Sequence, residues 1–170
     1  MTLSIDDINN SSEDRFVELL GGIFEHSSWV AELVCAKRPF AGLEQLYHEM
    51  VAAMRQAPEF QRMALLCAHP ELAGREAEAG GLTDASKREQ AGAGLDHCSP
   101  EELEKIGVFN QAYRNKFDFP FIIAVTGLNR QQIIAAMERR LGNDTVTEFE
   151  TALGEVEKIA RIRLDALIDD

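Results

Sequence analysis

Apolar side chains recur at steps of three and four residues along most of this chain. The clearest stripe is followed by Pro58 and consists of Leu43, Leu46, Tyr47, Met50, Val51 and Met54. Because that spacing places side chains on one face of a helix, it predicts an amphipathic helix that ends near the proline. The same reasoning predicts helices after an N-cap at Ser12 and up to Gly21, from Ser28 toward Pro39, and from Phe60 to Cys67.

Two Ser-x-x-Glu patterns predict helix starts farther along the chain. Ser86 with Glu89 and Ser99 with Glu102 both fit a capping box, and Pro100 suits the first helical position. The second box is expected to begin a helix with an apolar face of Leu103, Ile106, Phe109 and Tyr113. Two more helices are predicted over residues 129–141, before Gly142, and over residues 145–167, with a stripe of Val146, Phe149, Leu153, Val156 and Ala160.

Two segments break the helical pattern. Residues 75–84, with Gly80 and Gly81, are predicted to form a connecting loop. Residues 117–125 are apolar and β-rich but contain Pro120, and a single strand has no partner in a helical chain. We therefore expect a buried extended segment or a helix start there. The whole pattern predicts one all-α domain over residues 1–170 with about seven to nine helices.

Composition and charge limit the classes of partner. The 170 residues are 45% hydrophobic and 27% charged, and the net charge of −12 repels phosphate backbones. We expect no nucleic-acid partner, and no membrane partner because no apolar stretch approaches spanning length. The acidic start of the chain does not resemble a secretory signal, which predicts a cytoplasmic protein, and three cysteines without paired spacing predict reduced thiols.

His69 is a candidate proton-transfer group. Pro70 disfavours helical geometry at the preceding residue, so the apolar helix should end there and present the imidazole at its terminus. An imidazole titrates near neutrality and can act as a general acid or base. The alternative is a histidine that only caps helix carbonyls.

The next candidate is a polar helix face about twenty residues later. Ser86, Glu89 and Gln90 stand at i, i+3 and i+4 and share one face. The capping box alone explains Ser86 and Glu89, whereas the Gln90 amide is not used by it and is expected to be available to a ligand. Gly92 and Gly94 in a helix-like stretch suggest close approach of a backbone or ligand.

An arginine in the last helix is a third, independent candidate. Continuing the apolar stripe places Arg163 on the buried seam and Arg161 nearly opposite, on a solvated face. A buried guanidinium needs an anion, and both a bound ligand and an internal ion pair could supply it. The four histidines and three cysteines lack metal-ligand spacing, so no metal site is expected. Cys67 and Cys98 are weak candidates for nucleophiles, because an apolar helix should leave the Cys67 thiol inert.

Five ordered segments resemble one known family. They are residues 24–31 (FEHSSWVA), 69–73 (HPELA), 86–92 (SKREQAG), 110–113 (NQAY) and 116–122 (KFDFPFI). Together they are similar to the 2-oxo-4-hydroxy-4-carboxy-5-ureidoimidazoline (OHCU) decarboxylase family, whose members catalyse the last step from urate to allantoin. The resemblance implies an all-helical, cofactor-free homodimer whose small-molecule substrate is a ureidoimidazoline. The chain departs from the family at Asp118, where glycine is usual, and at Ser28, where proline is usual.

The resemblance also implies roles for individual residues. His69 matches the catalytic histidine, and Glu89 is expected to orient the imidazole or the substrate hydroxyl. Arg163, rather than Arg161, matches the arginine of the final helix. His26 receives no catalytic role. Residues implied to contact substrate are Pro70, Ser86, Lys87, Arg88, Glu89, Gln90, Phe121, Ile122, Ile123, Ala124, Val125 and Arg163.

The implied reaction needs only protein groups. Loss of carbon dioxide leaves electrons that the conjugated ring can accept, and a proton must then reach one face of the ring, so neither a metal nor a cofactor is expected. Two alternatives from other classes stay open: a helical module that binds a ureide without chemistry, and a hydrolase of a cyclic ureide. With no fused hydrolase domain in the sequence, another chain is expected to supply the preceding step.

Overall fold

The computed structural model describes residues 2–74, 77 and 79–169. Over these residues the chain forms nine α-helices and one short 3₁₀ turn, Leu95–His97. The α-helices are α1 Ile5–Asn10, α2 Glu13–Leu20, α3 Trp29–Cys35, α4 Leu43–Gln56, α5 Glu59–Cys67, α6 Asp84–Gly92, α7 Pro100–Phe117, α8 Arg130–Arg140 and α9 Thr145–Leu167. Apart from one isolated bridge between Leu3 and Ile168, the described residues form no β-structure. The predicted all-α class and number of helices are confirmed.

Most helix starts follow the predicted capping chemistry. The Ser12 side chain accepts a hydrogen bond from the Arg15 N–H, and Ser99 forms the expected box with Glu102. Helix α9 has the predicted bounds. Helix α1 was not predicted. Its capping box is formed by Ser4 and Asp7, which stand three residues apart in the sequence.

The predicted start of α6 is wrong. The N-cap is Thr83, whose Oγ1 accepts a hydrogen bond from the Ser86 N–H at 3.2 Å, and the helix begins at Asp84. Both residues are good N-caps, and the extended backbone of Thr83 lets the helix start one turn earlier. As a result the Ser86 side chain lies within the helix, on its buried face, instead of at its end.

The extended segment is confirmed. Helix α7 ends because Asp118 adopts a left-handed conformation with φ of 64°, and residues 119–125 have no regular structure. The aromatic and branched side chains of this segment are buried. The predicted loop over residues 75–84 falls partly outside the described residues, at Arg75, Glu76 and Glu78, and stays a prediction there.

The chain divides into two compact units. The first contains the residues up to Ala68 together with those from Glu157 onward, and the second contains His69–Val156. Side chains in the core of the first unit include Ile8, Phe16, Val30, Leu46, Met50, Met54 and Leu164. Those in the core of the second include Ile106, Tyr113, Phe121, Ile133, Met137 and Leu153. A single domain over residues 1–170 stays a prediction.

Two apolar positions of the predicted stripes are exposed. Leu103 is 43% exposed and Val146 is 74% exposed, whereas Asn110 and Glu148 on the same two helices are buried. The polar side chains of Asn110 and Glu148 can be buried because both form hydrogen bonds within the second unit. None of the described helices is long and apolar enough to cross a membrane.

Candidate functional site

His69 lies on a short loop, residues 69–74, that we call the histidine loop. Helix α5 ends at Cys67, as the His69–Pro70 sequence predicted, and His69 is only 7% exposed. Two hydrogen bonds hold the loop within the second unit. The Ala73 N–H donates to Gln90 Oε1 at 3.0 Å, and Asn110 Nδ2 donates to the Leu72 carbonyl at 3.0 Å. The loop therefore has a fixed conformation between contacts from α6 and α7.

Helix α6 turns one polar face inward. Ser86 and Gln90, four residues apart, are 5% and 6% exposed, and Glu89 beside them is half-buried. The prediction that the Gln90 amide is unused is wrong for its oxygen, which accepts the Ala73 N–H. The hydrogen bond between Ala73 and Gln90 thus joins the histidine loop to the buried face of α6.

Lys87 and Arg88 lie on the other side of α6. Both side chains are exposed, as expected for residues that lie between Ser86 and Gln90 in sequence and point away from the buried face of the helix. The structure therefore does not group them with Ser86 and Gln90. Their contact with substrate stays a prediction that rests on the family resemblance.

Residues 121–125, the wall segment, carry a row of backbone donors. Four of its five residues are buried and Ala124 is half-buried. None of its N–H groups donates a hydrogen bond within the described part of the chain. Because buried backbone N–H groups are nearly always paired in proteins, these groups are suited to the acceptor oxygens of a bound polar molecule.

Helix α7 supports both the histidine loop and the wall segment. Asn110 holds the loop through Leu72, and Tyr113, one turn later, packs its ring against Phe121 with centroids 5.4 Å apart and planes at 90°. Asn110 is 5% exposed, and its Oδ1 accepts no hydrogen bond from the described residues. Residues 110–113 are one of the family segments in the sequence, but no role was predicted for them. The i, i+3 spacing of Asn110 and Tyr113 was the available signal, since it places both on one helix face.

Arg163 lies in the first unit and is buried, as the seam argument predicted. Its Nη1 donates to Glu25 Oε2 at 2.6 Å and to the Gly22 carbonyl at 3.1 Å. The internal ion pair that the sequence left open is therefore present. An additional role in binding a substrate anion stays a prediction.

Arg161 differs from Arg163 in its surroundings. Its side chain is 35% exposed and pairs with Asp165 at 2.8 Å and with Glu44. Hydrogen bonds to Glu44 and Asp165 raise the pKa of this guanidinium. Arg161 is thus partly exposed, much as predicted for a solvated face, and it is paired with two carboxylates.

The structure also bears on the predictions about two glycines and two cysteines. A Cβ at Gly92 would meet nothing within 4 Å, so the predicted close approach of a backbone is wrong there, and approach of a ligand stays a prediction. Gly94 has φ of 78° and lies close to the Arg130 side chain. Cys67 is exposed, which contradicts the expectation of an apolar environment. Burial raises the pKa of the Cys98 thiol. Among the described residues, no group of three or more His, Cys, Asp or Glu side chains could hold a metal ion.

Comparison with known proteins gives a consistent result. The OHCU decarboxylase family model matches residues 9–165. The 2-oxo-4-hydroxy-4-carboxy-5-ureidoimidazoline decarboxylase of Haloferax volcanii is 43% identical over 162 residues, which cover 95% of this chain and 94% of that protein.

Two solved structures share the fold. An (S)-allantoin synthase crystal structure superposes with a TM-score of 0.78 at 33% identity and covers 98% of this chain and 55% of its own. An OHCU decarboxylase crystallised in the presence of (S)-allantoin has a TM-score of 0.71 at 23% identity, with coverages of 92% and 98%, and supports the fold alone. This chain belongs to the OHCU decarboxylase family.

Proposed function

We propose that this chain decarboxylates OHCU to (S)-allantoin, the last step of urate conversion to allantoin, with His69 as the acid/base and without a cofactor. One observation carries the assignment to these residues: a buried histidine sits on a loop that the polar face of α6 and the buried face of α7 hold in place. A proton-transfer group that is held in a fixed position is what such a reaction requires.

The chemistry follows from the substrate's functional groups. When the bond from C4 to the carboxylate breaks, carbon dioxide leaves, the electron pair forms a C=C bond to the neighbouring carbon, and the nitrogen of the ring C=N bond takes a proton. The 4-hydroxyl then loses its proton as the carbonyl forms, and the neighbouring carbon, which bears the ureido group, takes a proton on one face. The overall change replaces carbon dioxide with one proton, so a single well-placed acid/base can serve the reaction.

Each proposed site residue has a part in this scheme. His69 relays the proton, and Glu89 orients the imidazole or the 4-hydroxyl. Ser86 and Gln90 hold polar groups of the substrate, as do N–H groups of the wall segment, while Pro70 and Phe121 form apolar contacts. Arg163 binds a carbonyl or the carboxylate. A tight clamp on the scissile carboxylate would stabilise the ground state, so a carbonyl partner serves catalysis better.

We extend the proposal to the molecule's setting. The family resemblance supports a homodimer that acts on a small-molecule substrate, and we propose that it works in the cytoplasm. The net charge of −12 disfavours nucleic acid as a partner. Neither a metal nor an organic cofactor has a part in the proposed steps.

The activity can be tested by generating the unstable substrate in place. Urate oxidase and the cyclic-ureide hydrolase convert urate to OHCU, and circular dichroism follows the product after this protein is added. Rapid formation of (S)-allantoin alone supports the proposal. A slow racemic product would indicate a binding module, and release of a ring-opened acid without carbon dioxide would indicate a hydrolase.

The role of His69 is tested by a pair of histidine variants. We expect His69→Ala to lower kcat by about 10²–10⁴-fold, because it removes the acid/base. His97→Ala is the matched control, since the His97 side chain is 81% exposed. Wild-type turnover by the His69 variant would reject the acid/base role.

Arg163→Ala complements this test in the same assay. Loss of a substrate-binding group should chiefly raise KM, whereas loss of the acid/base should chiefly lower kcat. Glu25→Gln, which keeps the shape of the carboxylate beside Arg163, is the control for the internal ion pair. An unchanged KM in a folded Arg163 variant would remove Arg163 from the site.

A further inference from the structure

A buried polar cluster in the second unit has no part in the scheme above. Its centre is Glu148, which is fully buried. Glu148 Oε1 accepts hydrogen bonds from the Tyr113 hydroxyl at 2.6 Å and from Arg140 Nε at 2.7 Å. Asn143 Nδ2 donates to Oε2 at 2.9 Å. We call Tyr113, Arg140 and Glu148 the carboxylate cluster.

The cluster is electrostatically self-contained. A buried carboxylate is unfavourable unless a cation and hydrogen bonds compensate it, and Arg140, itself 5% exposed, supplies both. Burial and the adjacent Glu148 raise the pKa of the Tyr113 phenol, so its hydroxyl stays a donor. The three side chains therefore hold one arrangement across the neutral pH range.

This arrangement fixes the wall segment at three points. Arg140 Nη1 donates to the Ile122 carbonyl at 2.7 Å. The guanidinium carbon of Arg140 lies 4.4 Å from the centroid of the Phe121 ring, and the Tyr113 ring meets the same ring edge-on. One arginine thus joins the buried carboxylate to the backbone of the proposed substrate wall.

The Ile122 carbonyl determines where the next donor points. The peptide bond from Ile122 to Ile123 is trans and planar, so its C=O and N–H point in opposite directions. When Arg140 holds the carbonyl on one side, the Ile123 N–H must face the other side. That N–H is among the wall-segment donors without a partner in the described part of the chain.

We propose that Arg140, Glu148 and Tyr113 are positioning residues that aim the Ile123 N–H at an acceptor oxygen of the substrate, either the ureido or the ring carbonyl. The proposal rests on the proposed function, because it presumes that the wall segment meets substrate. Glu148 and Tyr113 act through Arg140, and Arg140 acts through the Ile122 carbonyl.

Arg140→Met is the principal test variant, because it keeps an unbranched apolar stem and removes both guanidinium contacts. We expect kcat/KM to fall about tenfold, the loss of roughly one hydrogen bond to substrate. In the ¹⁵N-labelled protein, saturating (S)-allantoin should shift the Ile123 amide proton downfield, and the variant should lose at least half of that shift. A merely structural role would lower Tm and leave this ligand-induced shift unchanged.

Arg130→Met is the matched control. Arg130 Nε donates to Glu102 at 3.0 Å and its Nη1 donates to the Gly94 carbonyl at 3.3 Å, so it also joins a carboxylate to a backbone carbonyl in the same unit. Among the described residues, it forms no hydrogen bond, ion pair or ring contact with the wall segment. We expect wild-type kcat/KM and the full Ile123 shift.

The outcomes separate the two proposals. Wild-type protein that does not accelerate (S)-allantoin formation overturns the proposed function. An active wild type whose Arg140→Met variant keeps kcat/KM and the Ile123 shift overturns only the positioning role. If Arg140→Met fails to fold, Tyr113→Phe decides, because it removes one hydroxyl and retains the ring. A folded Tyr113→Phe with at least a threefold lower kcat/KM and a reduced Ile123 shift supports the proposal, and wild-type values for both reject it.

Discussion

Asp118 is the residue at which α7 stops. Its φ of 64° is left-handed, and its N–H donates to the Arg114 carbonyl at 2.9 Å to close the last turn. Aspartate tolerates this conformation better than most residues, and glycine adopts it without strain. The departure from the family's usual glycine is therefore compatible with the same backbone.

Substitutions at Asp118 test that backbone requirement. We expect Asp118→Gly to raise the free energy of unfolding by a few tenths to about 1 kcal/mol, because left-handed strain is released. Asp118→Val should lower it by roughly 1–2 kcal/mol, since a β-branched side chain is poorly accommodated there. Urea unfolding of the three proteins measures both changes. Equal destabilisation by glycine and valine would show that the aspartate side chain, not the φ angle, matters at this position.

Ser86 and Arg163 show how far single residues could be predicted. Periodicity predicted that Arg163 is buried, because its position depends only on helical spacing. The same reasoning misplaced Ser86, since Thr83 is an equally good N-cap and local chemistry does not choose between the two. The choice depends on contacts of α6 with the histidine loop, such as the one between Gln90 and Ala73.

Among the elements, α7 supports two parts of the proposed site, because Asn110 holds the histidine loop and Tyr113 packs against the wall segment. Its first turn is fixed by a capping box in which Ser99 Oγ accepts the Glu102 N–H at 3.1 Å and Glu102 Oε1 accepts the Ser99 N–H at 3.0 Å. Arg130 of α8 donates to the other Glu102 oxygen. The Ser99 N–H and then the Arg130 hydrogen bond hold the pKa of Glu102 below its ordinary value.

The pH dependence of stability follows from that shift. Because the folded-state pKa is depressed, ionised Glu102 stabilises α7 fully above its unfolded value, near 4.5, and this contribution is lost as pH falls through the folded pKa. Glu102→Gln should therefore be less stable than wild type at pH 7, and the difference should shrink as pH drops below about 4.5.

The control for this experiment is Glu101→Gln, one residue earlier in the same turn. Chemical unfolding at a series of pH values gives the free-energy difference for each variant. A Glu102 difference that stays constant down to acid pH would mean that shape, rather than charge, explains the contribution. A Glu101 variant with the same pH profile would assign the effect to helix-terminal charge in general.

Helices were easier to predict than the polar contacts between them. Helix α9 has its predicted bounds because capping and periodicity are local. The apolar stripe nevertheless predicted that Val146 is buried, whereas the structure exposes Val146 and buries Glu148. Burial of that carboxylate depends on Tyr113 and Arg140, which lie on two other helices. A pattern that counts only apolar residues along one helix contains no information about such partners.

At the scale of the whole chain, fold class was predictable and the grouping of residues into two compact units was not. The steps of three and four residues determine the class without any long-range contact. Division at Ala68 and Val156 cuts α9 between the units and therefore follows tertiary packing rather than a linker sequence. The order of the family motifs pointed to His69 and the wall segment as candidates, whereas the contacts of Arg140 with the wall segment and with Glu148 emerged only from the structure.

The overall charge makes one prediction about the entire molecule. With 29 acidic and 17 basic residues, folding brings like charges together and repulsion opposes compaction. Exposed ion pairs such as Arg15 with Glu18 contribute little and are screened by salt as well. The buried pairs of Arg140 and Arg163 are screened much less.

Raising NaCl from about 10 to about 300 mM shortens the Debye length to below 10 Å and should therefore relieve net repulsion. If the relief is about 1 kcal/mol, Tm should rise by roughly 2–4 °C for a chain of this size. Thermal unfolding followed by circular dichroism measures the change, with sucrose at matched osmolality as the control for solute effects. A Tm that falls with salt would mean that attractive surface pairs outweigh the repulsion among excess carboxylates, and that net charge does not govern the stability of this molecule.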